Sequence, residues 1–379
     1  MRFCLKVSLF FTVFVFTPRS GSAQTQAQTT PDQQPLSLGE IARQYQLKKQ
    51  SNASGAAQIG QTEKDLTASS DFSKDEEQYK LHIREILKQQ NFAELERLAA
   101  EARDKKGRFA GGVWKLYMFY DAFTAPAVSG RATAADWQSH FGTLNAWMAA
   151  QPTSITAPVA LARAYIGFGS DARGTGFADT VTETGWQLDA EYTEKARKIL
   201  VAASRLKKRC PYWYEAMQQV ALSQGWDKAQ ARALFNEAVS LEPDYYHYYR
   251  EYANYLLPKW YGDEGEVEEF ANEVASRVSG QQGLFLYFEL ASVINCQCGD
   301  DEVHMVRMSW PKIKQGYEAL QQLYGSTNLK ENRFAYLTTL ARDKSAAQEV
   351  FTRLGYGWNP QTWRSQQTFE TARAWALSQ

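Results

Sequence analysis

The chain is poor in cysteine, carries no surplus charge and has no internal apolar run of membrane-spanning length. Four cysteines in 379 residues exclude a disulfide-dense scaffold. Its 42 basic side chains are matched by 42 acidic ones, so there is no broad positive field for nucleic acid or anionic lipid. Beyond the N-terminus no stretch is apolar for long enough to cross a bilayer. Neither His-Glu-x-x-His nor Gly-x-Ser-x-Gly occurs, which removes two common hydrolase signatures. Strict alternation of apolar and polar residues is missing too, so strands are not expected.

What is present begins with MRFCLKVSLFFTVFVFTPRSGSAQ. Arg2 and Lys6 precede an apolar run over Val7 to Phe16, and Gly21-Ser22-Ala23 supplies small residues. This pattern predicts a signal peptide over residues 1–23 and an exported chain, periplasmic or extracellular. Cys4 precedes the run, so it is not a lipid-attachment cysteine. Removing Arg2, Lys6 and Arg19 leaves 39 basic against 42 acidic side chains, a net charge near −3. Cys210, Cys296 and Cys298 remain, and their odd number permits one bridge from Cys210 plus a free thiol. Residues 24–72 are rich in Gln, Thr and Ser and read as a disordered tether. Within it SLGEIARQYQLKK, over 37–49, fits a short helix.

From residue 73 to 379 the pattern is helical. KDEEQYKLHIREILKQQ and NFAELERLAAEARDKK space their apolar residues by three and four, with Asn91 placed to cap the second. VWKLYMFYDAF follows Gly111-Gly112, and AADWQSHFGTLNAWMAA ends at Gln151-Pro152. Repeats show through. Ala162, Ala221 and Ala253 each lie ten residues after a proline (Pro152, Pro211, Pro243). Ala231, Phe235 and Ala238 precede Pro243; Ile199, Ala203 and Leu206 hold the same places before Pro211, and Ala347, Phe351 and Leu354 precede Pro360 with one extra residue. The expected fold is all-α: antiparallel helix pairs stacked as a superhelical array, each pair covering its neighbour's apolar face. Trp226, Trp260 and Trp310 are expected as wedges between pairs.

The Ala231, Phe235, Ala238, Pro243 spacing resembles the second helix of a tetratricopeptide repeat. ARGTGFADTVTETGWQL, RCPYWYEAMQQVALSQGW and YANYLLPKWYGDEGE resemble a bacterial group of secreted helical-repeat proteins, the domain of unknown function 4034. That resemblance implies an exported protein and brings no activity or catalytic residues with it.

EPDYYHYYREYANYLLPKWYGDEGE, from Glu242 to Glu266, raises the question of a binding surface. Tyr245, Tyr248, Tyr249, Tyr252 and Tyr255 share one helical stripe. Leaving five such rings in water would forgo roughly 10 kcal/mol, so most should pack between layers. The edge of the stripe, with Tyr245, Tyr249, Tyr252, Trp260 and Tyr261, is the aromatic candidate for a groove. A second candidate is the insertion GSDARGTGFADTVTETGW, Gly169 to Trp186. There Arg173, Asp179, Glu183 and Trp186 either hold the loop shut as an ion pair or receive a carboxylate.

Signals for chemistry are weak. GFGSDA matches a dinucleotide glycine pattern, but a helix precedes it where a strand is required; the glycines should release that helix into a loop. Cys296, Cys298 and His304 do not have zinc-site spacing. No catalytic residue, metal or cofactor is assigned. The function expected is a non-enzymatic scaffold that binds a peptide or protein partner in a concave groove, without nucleic acid. The alternatives are an envelope-acting hydrolase or carbohydrate-active helical enzyme, with distant carboxylates meeting in space, and a purely structural envelope component.

Overall fold

Apolar residues three and four apart build helices throughout the residues that the structure, a computed structural model, describes: 74–174, 180–297, 305–363 and 365–378. The signal segment, the tether and the 37–49 helix lie outside them. Fifteen α-helices and no strand occur among the described residues. In order they are α1 Lys74–Lys88, α2 Phe92–Lys105, α3 Lys115–Asp121, α4 Ala134–Ala150 and α5 Thr156–Arg173. Next come α6 Glu183–Ala203, α7 Pro211–Gln224, α8 Lys228–Leu241, α9 His247–Tyr255 and α10 Glu266–Arg277. The last are α11 Gly280–Gln297, α12 Trp310–Tyr324, α13 Asn328–Leu340, α14 Lys344–Leu354 and α15 Gln366–Leu377. None of them is long and apolar enough to cross a membrane.

Local chemistry fixes many ends. The Asn91 side chain accepts from the Glu94 backbone N–H at 3.2 Å, as its position before α2 requires. Thr133 and Asp136 form a capping box that starts α4. Pro211 opens α7, where its missing N–H is harmless.

Consecutive helices pack from α4 to α12 and again from α13 to α15. The odd-numbered helices also touch their next odd neighbour, from α3 through α15. Helix hairpins stacked side by side give this pattern, because each covers the apolar face of the next. Small residues sit where odd helices meet: Ala162 on α5, Ala221 on α7 and Ala253 on α9 are all buried. Phe235 on α8 stacks on Tyr252 at 4.8 Å and meets Phe270 edge-on at 5.3 Å, joining α8, α9 and α10. Helix α11 is apolar nearly all round, and Phe285, Leu286, Phe288, Leu290 and Ile294 are buried.

Two expectations about the chain path are corrected. Gly167 and Gly169 do not end a helix; α5 runs through them to Arg173. Gly167 serves close approach, since a Cβ there would stand 2.0 Å from the Thr124 carbonyl oxygen. The insertion is correspondingly shorter, because α6 begins at Glu183 and carries Trp186 as well. The anticipated helix from Pro243 starts only at His247, after a turn.

The odd-numbered row is not bare. Residues 107–114 fold back on themselves through an antiparallel bridge between Arg108 and Trp114. This segment reaches far along the chain. Arg108 donates to the Tyr324 hydroxyl at 2.8 Å, and the Trp114 indole N–H donates to the Asp244 carbonyl at 3.2 Å. Helix α1 runs beside α3, where Lys80 pairs with Asp121 at 2.7 Å.

Candidate functional site

The residues singled out from sequence separate into two groups. Arg173 ends α5 and lies between two indoles, 4.9 Å from the Trp186 ring and 5.6 Å from that of Trp260. Glu183 is not its partner. That carboxylate faces solvent and accepts from Gln187 at 3.1 Å. Among the described residues Arg173 meets the two rings by cation–π stacking; its other expected partner, Asp179, lies outside the described residues. Tyr261, next to Trp260, stacks on Tyr255 at 5.0 Å. Arg173 and Trp186 from one sequence candidate thus meet Trp260 from the other, by stacking.

Tyr245, Tyr249 and Tyr252 belong to the core. All three are buried. The Tyr245 hydroxyl donates to Glu215 at 2.6 Å, and that of Tyr249 to the Pro243 carbonyl at 3.0 Å. Their ring faces are taken by Trp114, Phe235 and Tyr248. Trp310 acts as the expected wedge: it stacks on Phe334 at 5.9 Å and donates to Asp343 at 2.9 Å.

Cys210 is a free, buried thiol 3.3 Å from the Tyr120 hydroxyl, so it forms no bridge. The Cys296 side chain, Cys298 and His304 lie outside what is described. Among the described residues no three His, Cys, Asp or Glu side chains gather as a metal set.

Sequence reasoning missed a string of polar side chains along the odd-numbered helices. Asp121 on α3 faces Arg163 on α5 at 3.7 Å. Arg163 donates to Gln219 on α7 at 3.0 Å, and Gln219 to Glu251 on α9 at 3.3 Å. Burial raises the pKa of both Glu215 and Glu251, with Glu251 adding to the rise at Glu215. Two such carboxyls are what an acid/base site would use. Glu215, however, is 0% exposed, and one of its carboxylate oxygens accepts from the Tyr245 hydroxyl.

A separate charge cluster lies on α9, α11 and α13. Glu289 on α11 is 0% exposed. It accepts from Arg250 on α9 at 2.8 Å and from Lys330 on α13. Burial alone would raise the Glu289 pKa, but Lys330, Arg250 and Arg333 outweigh it and the net shift is downward. Lys330, 2% exposed, yields instead. Desolvation takes its pKa down to about 7 against the pull of Glu289. Arg250 cannot lose its proton, so Glu289 keeps one permanent partner and Lys330 becomes the dispensable charge.

This has a sign that can be measured. An unfolded lysine holds its proton to about pH 10, whereas folded Lys330 releases it near 7. Between those values the unfolded state binds more protons, so the Lys330 contribution to stability rises with pH. In urea unfolding between pH 7 and about pH 9, Lys330→Met should remove that upward component relative to wild type. Parallel pH profiles for the two proteins would show that Lys330 stays charged.

Above the cluster is a cavity of about 130 Å³. Arg250, Lys330, Arg333, His247, Tyr117 and Glu76 help to line it. The His247 ring lies face to face between Tyr117 at 4.0 Å and Tyr246 at 4.1 Å. Burial, with Arg250, Lys330 and Arg108 nearby, holds its pKa well below the usual histidine value, so the imidazole is neutral. Its Nε2 atom is buried without a hydrogen-bond partner. A signal for this site stands in the sequence: Glu289 is the one charged residue in the apolar run GLFLYFELASV, and such a charge needs a buried partner. Comparison with family models, with curated proteins and with solved structures finds no match to this chain.

Proposed function

We propose that the chain is an exported, non-enzymatic helical-repeat scaffold of tetratricopeptide-like, superhelical form. In this reading the odd-numbered helices line a concave side, and a peptide or protein partner lies along it. The observation that carries the reading is two runs of polar and charged side chains, Asp121 to Glu251 across α3, α5, α7 and α9, and Arg250 to Lys330 across α9, α11 and α13. A string of this kind is costly inside a core and serves directional hydrogen bonding to an extended chain. The all-helical packing, the leader-like N-terminus and the resemblance to secreted repeat proteins are consistent with export of such a scaffold.

Selecting a random peptide library against the purified full chain tests this. Selected peptides should bind about tenfold more weakly to Gln219→Ala and Glu251→Gln variants that melt like wild type. Failure to select any binder, or binders indifferent to both substitutions, would overturn the reading.

A further inference from the structure

A second cavity, of about 340 Å³, lies where helix ends meet, and its volume is that of a small-molecule site. Arg103 and Asp104 reach it from the last turn of α2, and Glu242 from the end of α8. Lys208 and Arg209 come from the turn that leads into α7. The C-terminal ends of α2 and α8 carry negative partial charge, which favours a cation, whereas the start of α7 favours an anion.

Glu242 supplies the observation that points to a ligand. It is 6% exposed. Its Oε2 atom pairs with Lys106 at 2.7 Å, but its Oε1 atom is buried without a hydrogen-bond partner. A carboxylate oxygen in that state is costly unless a donor comes to it. The cations of the cavity do not serve. Arg103 is held by Thr156, donating to its hydroxyl at 3.1 Å. Lys208 and Arg209 are exposed, and neither pairs with a carboxylate among the described residues. Asp104 is exposed too and is likewise without an ion pair there.

Acceptors and cationic donors thus share one cavity without satisfying one another. A lone anion would answer the basic turn and leave Glu242 as it is. A lone cation would answer Glu242 and face Lys208 and Arg209. A molecule that bears both charges answers both.

We propose that this cavity binds a small zwitterion of the α-amino acid kind, its ammonium on Glu242 Oε1 and Asp104 and its carboxylate on Lys208 and Arg209. An ammonium has three donors for the acidic side, and a guanidinium presents a planar fork that matches a carboxylate. Ala100 and Leu241 add apolar wall for a side chain. The site does not rest on the scaffold reading, and its failure would leave that reading where it stands.

Thermal melting of the full chain with each common amino acid at millimolar concentration tests the proposal. At least one should raise the melting temperature, and titration calorimetry then gives its affinity. N-acetylation removes the ammonium and amidation removes the carboxylate. Each should weaken the best binder at least about tenfold. Lys208→Gln/Arg209→Gln, at exposed positions, should melt like wild type, lose the amino acid and bind the amide as before. Glu242→Gln should erase the preference for a free amine. Because that change also breaks the Lys106 pair, Asp104→Asn gives a second reading at an exposed position: weaker binding of the amino acid, with the N-acetyl derivative unaffected.

No response to any amino acid overturns the proposal. An N-acetyl derivative that binds as well as its parent also overturns it, because the basic turn would then be a plain anion patch. An amide that binds as well does the same, leaving a simple cation site at Glu242.

Discussion

Glu289→Leu is expected to destabilise the folded chain by about 3–5 kcal/mol, because it strands two buried cations that now share one carboxylate. Urea unfolding at neutral pH should show this as a lower midpoint with an unchanged slope. Lys330 sits at 2% exposure and Arg250 is largely enclosed, so water cannot replace the lost partner. The loss should be partly reversed in Glu289→Leu/Lys330→Met, which removes the more easily neutralised cation and leaves Arg250 its bond to the residue 289 carbonyl, 3.2 Å away. The interaction energy from the double-mutant cycle should be at least about 1 kcal/mol. A Glu289→Leu protein as stable as wild type would mean that the cluster is not held as an ion pair.

Gly167→Ala should also destabilise, through sterics alone. The added Cβ would fall 2.0 Å from the Thr124 carbonyl oxygen, so α5 must move away from the segment that follows α3. Overpacking of this kind costs roughly 1–3 kcal/mol or more, against a gain of up to about 1 kcal/mol from better helix propensity. A net loss near 2 kcal/mol is expected. Gly142→Ala provides the opposite sign. Gly142 is exposed on α4 with nothing within 4 Å of its would-be Cβ, so the same substitution should stabilise by about 0.5–1 kcal/mol. Thermal melts of both variants decide the matter. Two shifts in the same direction would place Gly167 outside a tight helix contact.

The comparison with the sequence follows from these residues. Helix α4 was legible to its ends, because Thr133 and Asp136 cap it and Gln151-Pro152 stops it. The small residues Ala162, Ala221 and Ala253, read from their spacing after prolines, are all buried. Gly167 misled because a glycine that loosens a helix and one that admits a neighbour are the same letter; only the position of Thr124 separates them. The tyrosine stretch overstated its surface. Periodicity gave the stripe, but Trp114, which covers Tyr245, comes from 131 positions earlier in the chain.

Arg173, Trp186 and Trp260 were chosen for charge and aromaticity and do meet, but local spacing could not show that Trp260 would stand beside Arg173. The cluster of Arg250, Glu289 and Lys330 draws one residue from each of three helices. No linear motif contains it, and the lone carboxylate of the α11 apolar run was its single local sign.

Hydrogen exchange of the full chain, with and without a peptide selected against it, tests most directly whether the odd-numbered row receives a partner. Slower exchange in Pro211–Gln224 and His247–Tyr255, the helices that carry Gln219 and Glu251, is the expected result. Protection confined to the even-numbered helices would contradict it.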